Sequence, residues 1–292
     1  MSTSLLIPGV VVIQPISYES FMIMKVSKVV VQKRSKYQNI EVVELSEYGK
    51  ALVLDGLVQS TEVDEYIYHE SLVHPAMITH PNPRKVLIIG GGEGATLREV
   101  LKHSTVEEAT MVDIDADVVE ICKQYLPELH SGSFLNTKAR VVIADGKEFV
   151  EKTSDKYDVI ILDLTDPYAS EIAYELYTEK FYRRIFEILT DDGIMVTQAG
   201  SSFYYEEVYD RVLSSIKNVF PIVKEYNVWI PSFGYACNFI IGSKRYSPDD
   251  LNPEVVDKRL RDRGVSTRFY SGRTHIALMN LPIYRRRRST TS

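Results

Sequence analysis

The stretch Lys85-Val86-Leu87-Ile88-Ile89-Gly90-Gly91-Gly92-Glu93-Gly94-Ala95 decides the fold. A β-branched apolar run stops abruptly at glycines, and a helix-compatible segment follows directly. That order is strand, tight turn, helix start, which lets a backbone approach a bound nucleotide and aim helix N–H groups at it. Two ligands remain open at this point. Gly90, Gly92 and Ala95 satisfy a tolerant dinucleotide fingerprint, whereas Gly90, Gly92 and Gly94 suit the tighter loop that holds a sulfonium nucleoside.

Outward from this stretch, strands and helices alternate. Strands are expected at 85–89, 108–113, 139–144, 157–162 and 193–197, with helices between them at 95–103, 116–126, 147–152 and 178–189. Nearly all-apolar strands in βα alternation imply a parallel sheet covered on both faces, a Rossmann-like, doubly wound α/β class. A helix at 205–219 and an antiparallel pair at 222–230 and 236–243 should close the sheet. Upstream, residues 11–61 are β-like, with Asp55-Gly56 as a hairpin signal between apolar runs. They read as a small antiparallel β-domain, so the expected division is 1–65 and 66–292. A helix at 62–79 should join the two, and beyond residue 247 the pattern is uninformative.

The 292 residues are 45% hydrophobic, enough for a proper core, and the net charge of −6 disfavours nucleic acid. Arg285, Arg286, Arg287 and Arg288 form the one basic run, expected to be a solvated tail. Cys122 and Cys237 lie far apart without metal-ligand spacing, so neither a disulfide framework nor a metal site is expected. No apolar run approaches a bilayer span, and the N-terminal stretch lacks the basic residues of a signal peptide; a cytoplasmic protein is expected.

In open α/β sheets ligands bind beyond the carboxyl ends of the strands. Here those ends carry Glu93 in the loop, Asp113, Asp145-Gly146, and Asp163-Leu164-Thr165-Asp166-Pro167. Each Asp could be an N-cap or turn residue. Asp113, about 20 residues past the loop, is placed to accept ribose hydroxyls. An acidic mouth without basic residues disfavours the two phosphates of a dinucleotide and suits a cation. A sulfonium nucleoside is the better match.

These residues resemble the spermidine synthase group of polyamine aminopropyltransferases, almost continuously over 35–241. The resemblance is carried by Ser35-Lys36-Tyr37-Gln38, Leu54-Asp55-Gly56-Leu57-Val58-Gln59, Asp64-Glu65-Tyr66-Ile67-Tyr68-His69-Glu70, His80-Pro81-Asn82-Pro83-Arg84-Lys85-Val86-Leu87, the glycine loop, Asp145-Gly146 and the Asp163 to Pro167 motif. It implies an N-terminal β-domain, a methyltransferase-like α/β domain, and a homodimer or homotetramer. It also implies a reaction with no tightly bound cofactor, in which decarboxylated S-adenosylmethionine gives its aminopropyl group to a polyamine acceptor and leaves as 5′-methylthioadenosine. By position, Asp163 resembles the base that deprotonates the acceptor, with Tyr68 orienting the nitrogen. Gln38, His69, Gly90, Gly92, Glu93, Asp113, Asp145 and Gly146 match donor-binding positions. Gln59, Asp166, Gln198 and Phe233 match the acceptor side. Without the resemblance, Tyr68 and His69 read as helix residues supporting a domain junction, and Gln198 as part of a plain turn.

Departures from the pattern bear on the acceptor. Leu164 stands where putrescine-using members carry a hydroxyl residue, and Phe233 where a tyrosine often meets the acceptor; Glu93 replaces a usual Asp. These details look more like thermospermine synthases and agmatine-using enzymes of thermophiles, so agmatine, cadaverine or spermidine are expected to compete with putrescine. A methyltransferase using the carboxylated donor, a non-catalytic polyamine sensor and a dehydrogenase are the competing readings.

Overall fold

The computed structural model describes residues 9–168 and 174–286. Two sheets organise them. A five-stranded antiparallel sheet runs in order β1 (Val11–Pro15), β2 (Phe21–Arg34), β3 (Asn39–Leu45), β4 (Gly49–Leu54) and β5 (Leu57–Thr61). Asp55 and Gly56 turn the last hairpin, with Leu54 opposite Leu57 and φ of 48° and 83°. Both central residues in the left-handed region match the right-handed strand twist.

The chain then enters α1 (Glu65–Thr79), buried over almost its whole length. A helix buried on every side belongs inside a protein. Pro75 lies inside it, and a proline, lacking an N–H, cannot serve the carbonyl of Ser71. The Tyr226 hydroxyl donates to that carbonyl instead, at 2.8 Å.

The second sheet alternates strand and helix: β6 (Lys85–Gly90), α2 (Ala95–Leu101), β7 (Glu108–Asp113), α3 (Ala116–Tyr125), α4 (Pro127–His130), β8 (Ala139–Ile143), α5 (Gly146–Lys152), β9 (Tyr157–Asp163), α6 (Glu179–Ile188), β10 (Leu189–Gln198), α7 (Glu206–Lys217), β11 (Ile222–Ile230) and β12 (Tyr235–Ser243). Its spatial order is β11-β12-β10-β9-β6-β7-β8. Strands β8, β7, β6, β9 and β10 are mutually parallel, and β12 and β11 close the sheet antiparallel. This is the expected doubly wound sheet with its small antiparallel partner. The order reverses between β6 and β9, which opens the crevice where such sheets hold ligands. Gly90 and Asp163 are register partners at that crevice.

Both faces are packed. One core gathers Leu72, Ile78, Ile88, Leu97 and Phe239 beneath α1 and α2, and the other gathers Leu87, Ile160, Tyr182, Ile185 and Leu213 beneath α6 and α7. A third cluster joins Ile40, Leu52 and Leu54 of the small sheet to Val118, Ile121 and Leu126 near α3.

Beyond β12 lie two helices that the polar sequence does not announce, α8 (Pro253–Asp262) and α9 (Gly272–Asn280). Polar contacts fasten this part to α1. The Arg263 guanidinium is buried and donates to the carbonyls of Met77, His80 and Pro81 at 2.6 to 2.9 Å. It thereby satisfies carbonyls that the helix end leaves without partners. Burial, then neighbouring Arg259, pulls its pKa down to about 10. The Glu70 carboxylate accepts from the backbone N–H groups of Arg268, Phe269 and Tyr270, each at 2.8 Å.

The expected solvated tail is corrected at its first residue. Arg285 forms ion pairs with Asp210 and Glu225 and lies 4.7 Å from the Tyr209 ring centroid. Arg285 is drawn in because two carboxylates and an aromatic face meet there. Arg287 and Arg288 lie outside the described residues.

Glu70→Ala should leave three backbone donors without their acceptor and cost about 3–5 kcal/mol. Hydrogen exchange at residues 268–270 should accelerate with it; unchanged protection would refute the clasp.

Candidate active site

Everything at the crevice starts from how closely the glycine loop presses on its neighbours. A Cβ at Gly90 would stand 2.1 Å from the Asp163 carbonyl oxygen, and one at Gly92 would stand 2.6 Å from an Asp113 carboxylate oxygen. Gly90 has φ of 83°, which only glycine adopts without strain. The Gly91 N–H donates to the Asp163 carbonyl at 3.1 Å, so the loop is sewn to the end of β9.

Asp163 is bracketed. One carboxylate oxygen accepts from the Tyr68 hydroxyl at 2.9 Å and the other from the Thr96 hydroxyl at 2.6 Å. Helix α1 supplies the tyrosine and α2 the threonine, while the aspartate itself is only half-buried at the crevice. Burial pushes its pKa up; nearby His69 pulls it down and Glu93 adds to the rise. Tyr68 is held well above an ordinary phenol, first by burial and then by the Asp163 charge. Hence Tyr68 stays a donor and Asp163 the acceptor.

A second carboxylate, Glu93, is buried and accepts from Ser60 Oγ and from His69 Nε2, each at 2.7 Å. The other ring nitrogen of His69 lies 2.7 Å from Glu65. Burial alone would depress this imidazole, but the two carboxylates override it and raise its pKa well above the usual range. Asp113, at the end of β7, accepts the Asp115 N–H at 2.8 Å. Burial first, with the Asp115 charge adding to it, pushes Asp113 up to about 6.

Asp166 begins the other arm of the crevice. It accepts from the Tyr235 hydroxyl at 3.2 Å, with Tyr168 as a further partner, and burial raises its pKa. Phe233 is buried, 5.9 Å in ring centroids from Tyr68 and 5.7 Å from Tyr235. Asp163, Tyr68, Glu93, His69 and the glycine loop are therefore gathered at one place, with Asp166 and Phe233 beside them.

Other residues named from sequence sit in supporting positions. The Gln38 amide donates to Asp115 at 3.1 Å, and Ser35 donates to the same oxygen at 2.6 Å. Asp145 caps α5, its carboxylate accepting from the N–H groups of Lys147 and Glu148. Gly146 is buried, and a Cβ there would meet Ile89 at 2.5 Å. Gln59 turns its amide to its own hairpin, donating to Leu57 O at 3.0 Å. Gln198 donates to Leu164 O at 2.6 Å and accepts from Gly200 N–H at 2.8 Å, so it braces the loop after β9. The Leu164 side chain packs with the core under α6 and α7.

Sequence reasoning does not single out Thr96, Glu65, Ser60, Asp115 and Tyr235. Thr96 follows the loop directly and Glu65 stands four residues before His69, so each has a positional signal. Ser60 and Tyr235 have none, since their contacts come from segments far away in sequence.

Comparison with known proteins places the chain among enzymes of one kind. Residues 65–251 match the spermine/spermidine synthase domain and residues 14–62 the spermidine synthase tetramerisation domain. The chain is 58% identical to a polyamine aminopropyltransferase of Pyrobaculum calidifontis, covering 97% of this chain and 99% of that one. It is 60% identical to the polyamine aminopropyltransferase of Pyrobaculum arsenaticum over the same shares. A crystal structure of spermidine synthase in complex with the transition-state analogue AdoDATO superposes with a TM-score of 0.88 at 35% identity, covering 94% of this chain and 93% of that one. Spermidine synthase from Thermotoga maritima gives 0.86 at 35% identity, with 94% and 92% covered.

Asp113 supplies a linkage test. Its folded-state pKa, about 6, exceeds the ordinary value of 3.8, so its contribution to stability is intact below the lower value and is lost as pH rises through the higher. Asp113→Asn should therefore raise stability near neutral pH by about 1–2 kcal/mol and leave it unchanged near pH 4. Thermal melts at the two pH values check this, and equal effects at both would contradict it.

Proposed function

The chain belongs to the spermine/spermidine synthase family and is a polyamine aminopropyltransferase; from that premise we propose how its residues divide the work and which acceptor they favour. The reaction joins an acceptor nitrogen to the methylene carbon beside the donor's sulfonium. Nitrogen supplies the electron pair, the carbon–sulfur bond breaks with its pair going to sulfur, and neutral 5′-methylthioadenosine leaves. An ammonium has no lone pair, so a base must first take its proton.

Asp163 is that base. The observation carrying the assignment is its bracketed carboxylate at the crossover crevice, with Tyr68 and Thr96 on its two oxygens and burial raising its pKa. A raised carboxylate is better matched to proton abstraction near neutrality than an ordinary one. Tyr68 fixes its orientation and guides the attacking nitrogen. Glu93, steadied by His69, holds the amine end of decarboxylated S-adenosylmethionine, while Asp113 takes the ribose. The glycine loop, including Gly90 and Gly92, and the turn at Asp145 and Gly146 flank the nucleoside; Gln38 supports it through Asp115. A donor that kept its carboxylate would meet Glu93 and Asp163, and like charges in a low-dielectric crevice repel.

Asp166 anchors an acceptor ammonium. Tyr235 supplies beside it the hydroxyl that Phe233 lacks, while Phe233 offers methylene-compatible surface next to Tyr68. Leu164 presents no hydroxyl, its partly buried side chain lying against the core. This balance of one distal carboxylate and more apolar wall favours agmatine, cadaverine or spermidine over putrescine, with thermospermine a product if spermidine is used. Gln59 and Gln198 act as frame to this channel. The five-stranded sheet is the surface for self-assembly, since Ile13, Phe21 and Ile23 are 51% to 56% exposed on registered strands.

Asp163→Asn should lower kcat by about 100- to 10,000-fold while the donor still binds. Tyr68→Phe should lose about tenfold. On the acid side, turnover should fall at a higher pH than for an unperturbed carboxylate, because Asp163 must be ionised to act. A panel of agmatine, putrescine, cadaverine, norspermidine and spermidine, read by product chromatography and mass, decides the acceptor. Strong preference for putrescine would refute the acceptor proposal; methyl addition without gain of a three-carbon amine would refute the transfer chemistry.

A further inference from the structure

Behind the crevice runs a line of alternating charge that extends well past the groups assigned to the donor. Glu93 Oε1 meets His69 Nε2 at 2.7 Å; His69 Nδ1 meets Glu65 Oε2 at 2.7 Å and Glu65 O at 2.9 Å. Glu65 Oε2 meets Arg98 Nη2 at 2.8 Å, and Arg98 Nε meets Glu99 Oε1 at 2.8 Å. Glu99 then receives Lys102 at 2.7 Å and His74 at 3.0 Å. Glu93, His69, Glu65 and Glu99 are all buried, and Arg98 is only 13% exposed.

Against two carboxylates, hydrogen-bond roles fix the state of the ring. Both nitrogens of His69 face acceptors: a carboxylate on one side, a carboxylate and a carbonyl on the other. A neutral imidazole has one donor nitrogen and would aim a lone pair at a carboxylate. Only the imidazolium satisfies every contact.

The geometry points to Glu65 and Arg98 as positioning residues that hold His69 as an imidazolium, which in turn fixes Glu93 in place as the counter-charge for a cationic ligand. This deepens the donor site of the proposed function and rests on that reading. The groups facing His69 come from several elements: Glu65 and Tyr68 from its own helix, Glu93 from the loop, Arg98 from α2, Asp163 from β9, with Ser60 of β5 on the far oxygen of Glu93. Cys122 of α3, a buried thiol, lies beyond Glu93. Among these, Glu65 is the partner that can be removed without touching substrate.

Glu65→Gln keeps the shape and removes one of the two carboxylates. The pKa of His69 should fall towards its ordinary range, so the ring becomes neutral as pH rises. As the ring loses the charge that partly offsets Glu93, the donor KM should fall about tenfold between about pH 6 and about pH 9, while the wild-type KM stays flat across that window. The rate at saturating donor should change less than about twofold, because Asp163 and Tyr68 are untouched. Glu65→Asp should restore part of the flat profile. Ring-nitrogen NMR of His69 gives an independent reading: imidazolium in the wild type near pH 8, and deprotonation near neutrality in Glu65→Gln. A neutral ring in the wild type near pH 7 overturns the inference, as does a pH-independent loss in the variant. If the wild-type protein transfers no aminopropyl group, the reading of the site falls, while the NMR titration still decides the state of His69.

Discussion

The dependence of everything else on one close approach is the governing constraint: a loop rich in glycine lies against the end of β9. A single Cβ at Gly90 would strike the Asp163 carbonyl at 2.1 Å. The contact does two things at once. It seats the loop at the point where strand order reverses, and it fixes the backbone from which the Asp163 carboxylate projects. At Gly92 the same economy of volume makes room for Asp113. In this chain the glycines serve the carboxylates at least as directly as they serve a ligand.

Gathering so many acids at one mouth is electrostatically costly, and the structure offsets the cost with donors rather than with distance. Asp163 receives two hydroxyls, Glu93 a hydroxyl and an imidazolium, Asp115 a hydroxyl and an amide. Buried polar groups satisfied in this way rigidify a site, whereas partly satisfied ones destabilise it. The repulsion that remains is useful. It adds to the raised pKa of Asp113 and Asp163, and it creates a crevice whose charge is completed only by a cation.

Much of this is legible in the residues. The β-branched run ending at Gly90 announces the first strand of the sheet, and the alternation after it announces the rest; the Asp-Gly dipeptide places the hairpin of the small sheet. The acidic strand ends select a cationic ligand on charge alone. What stays hidden in the sequence is whatever depends on chain segments remote from one another. Helices α8 and α9 bury only a few apolar residues each, Val256 and Leu260 in one and Leu278 and Met279 in the other, and the segment joining them is held to α1 by polar contacts of Arg263 and Glu70, a thin signal in a polar stretch. Arg285 looks like a free charge in sequence because Asp210 and Glu225 approach it from another helix and an edge strand. Sequence points to Phe233 rather than Tyr235, since only the turn between β11 and β12 shows which hydroxyl reaches Asp166. Leu164, beside the first Asp of its motif, reads as part of the acceptor site; its partly buried side chain lies against the core with Cδ2 beside Gly90, a direction that spacing cannot reveal.

The clasp between Glu70 and the backbone of residues 268–270 spans about 200 positions of the chain. During synthesis the helix bearing Tyr68 and His69 is therefore made long before the amides that secure it. A partly made chain can pair its parallel strands and gather the carboxylates, but it lacks the last grip on the helix that orients them. Contacts so distant in sequence form late because loop closure must precede them. The last grip on that helix thus waits for residues 268–270, although the acids it helps to orient are already in the chain.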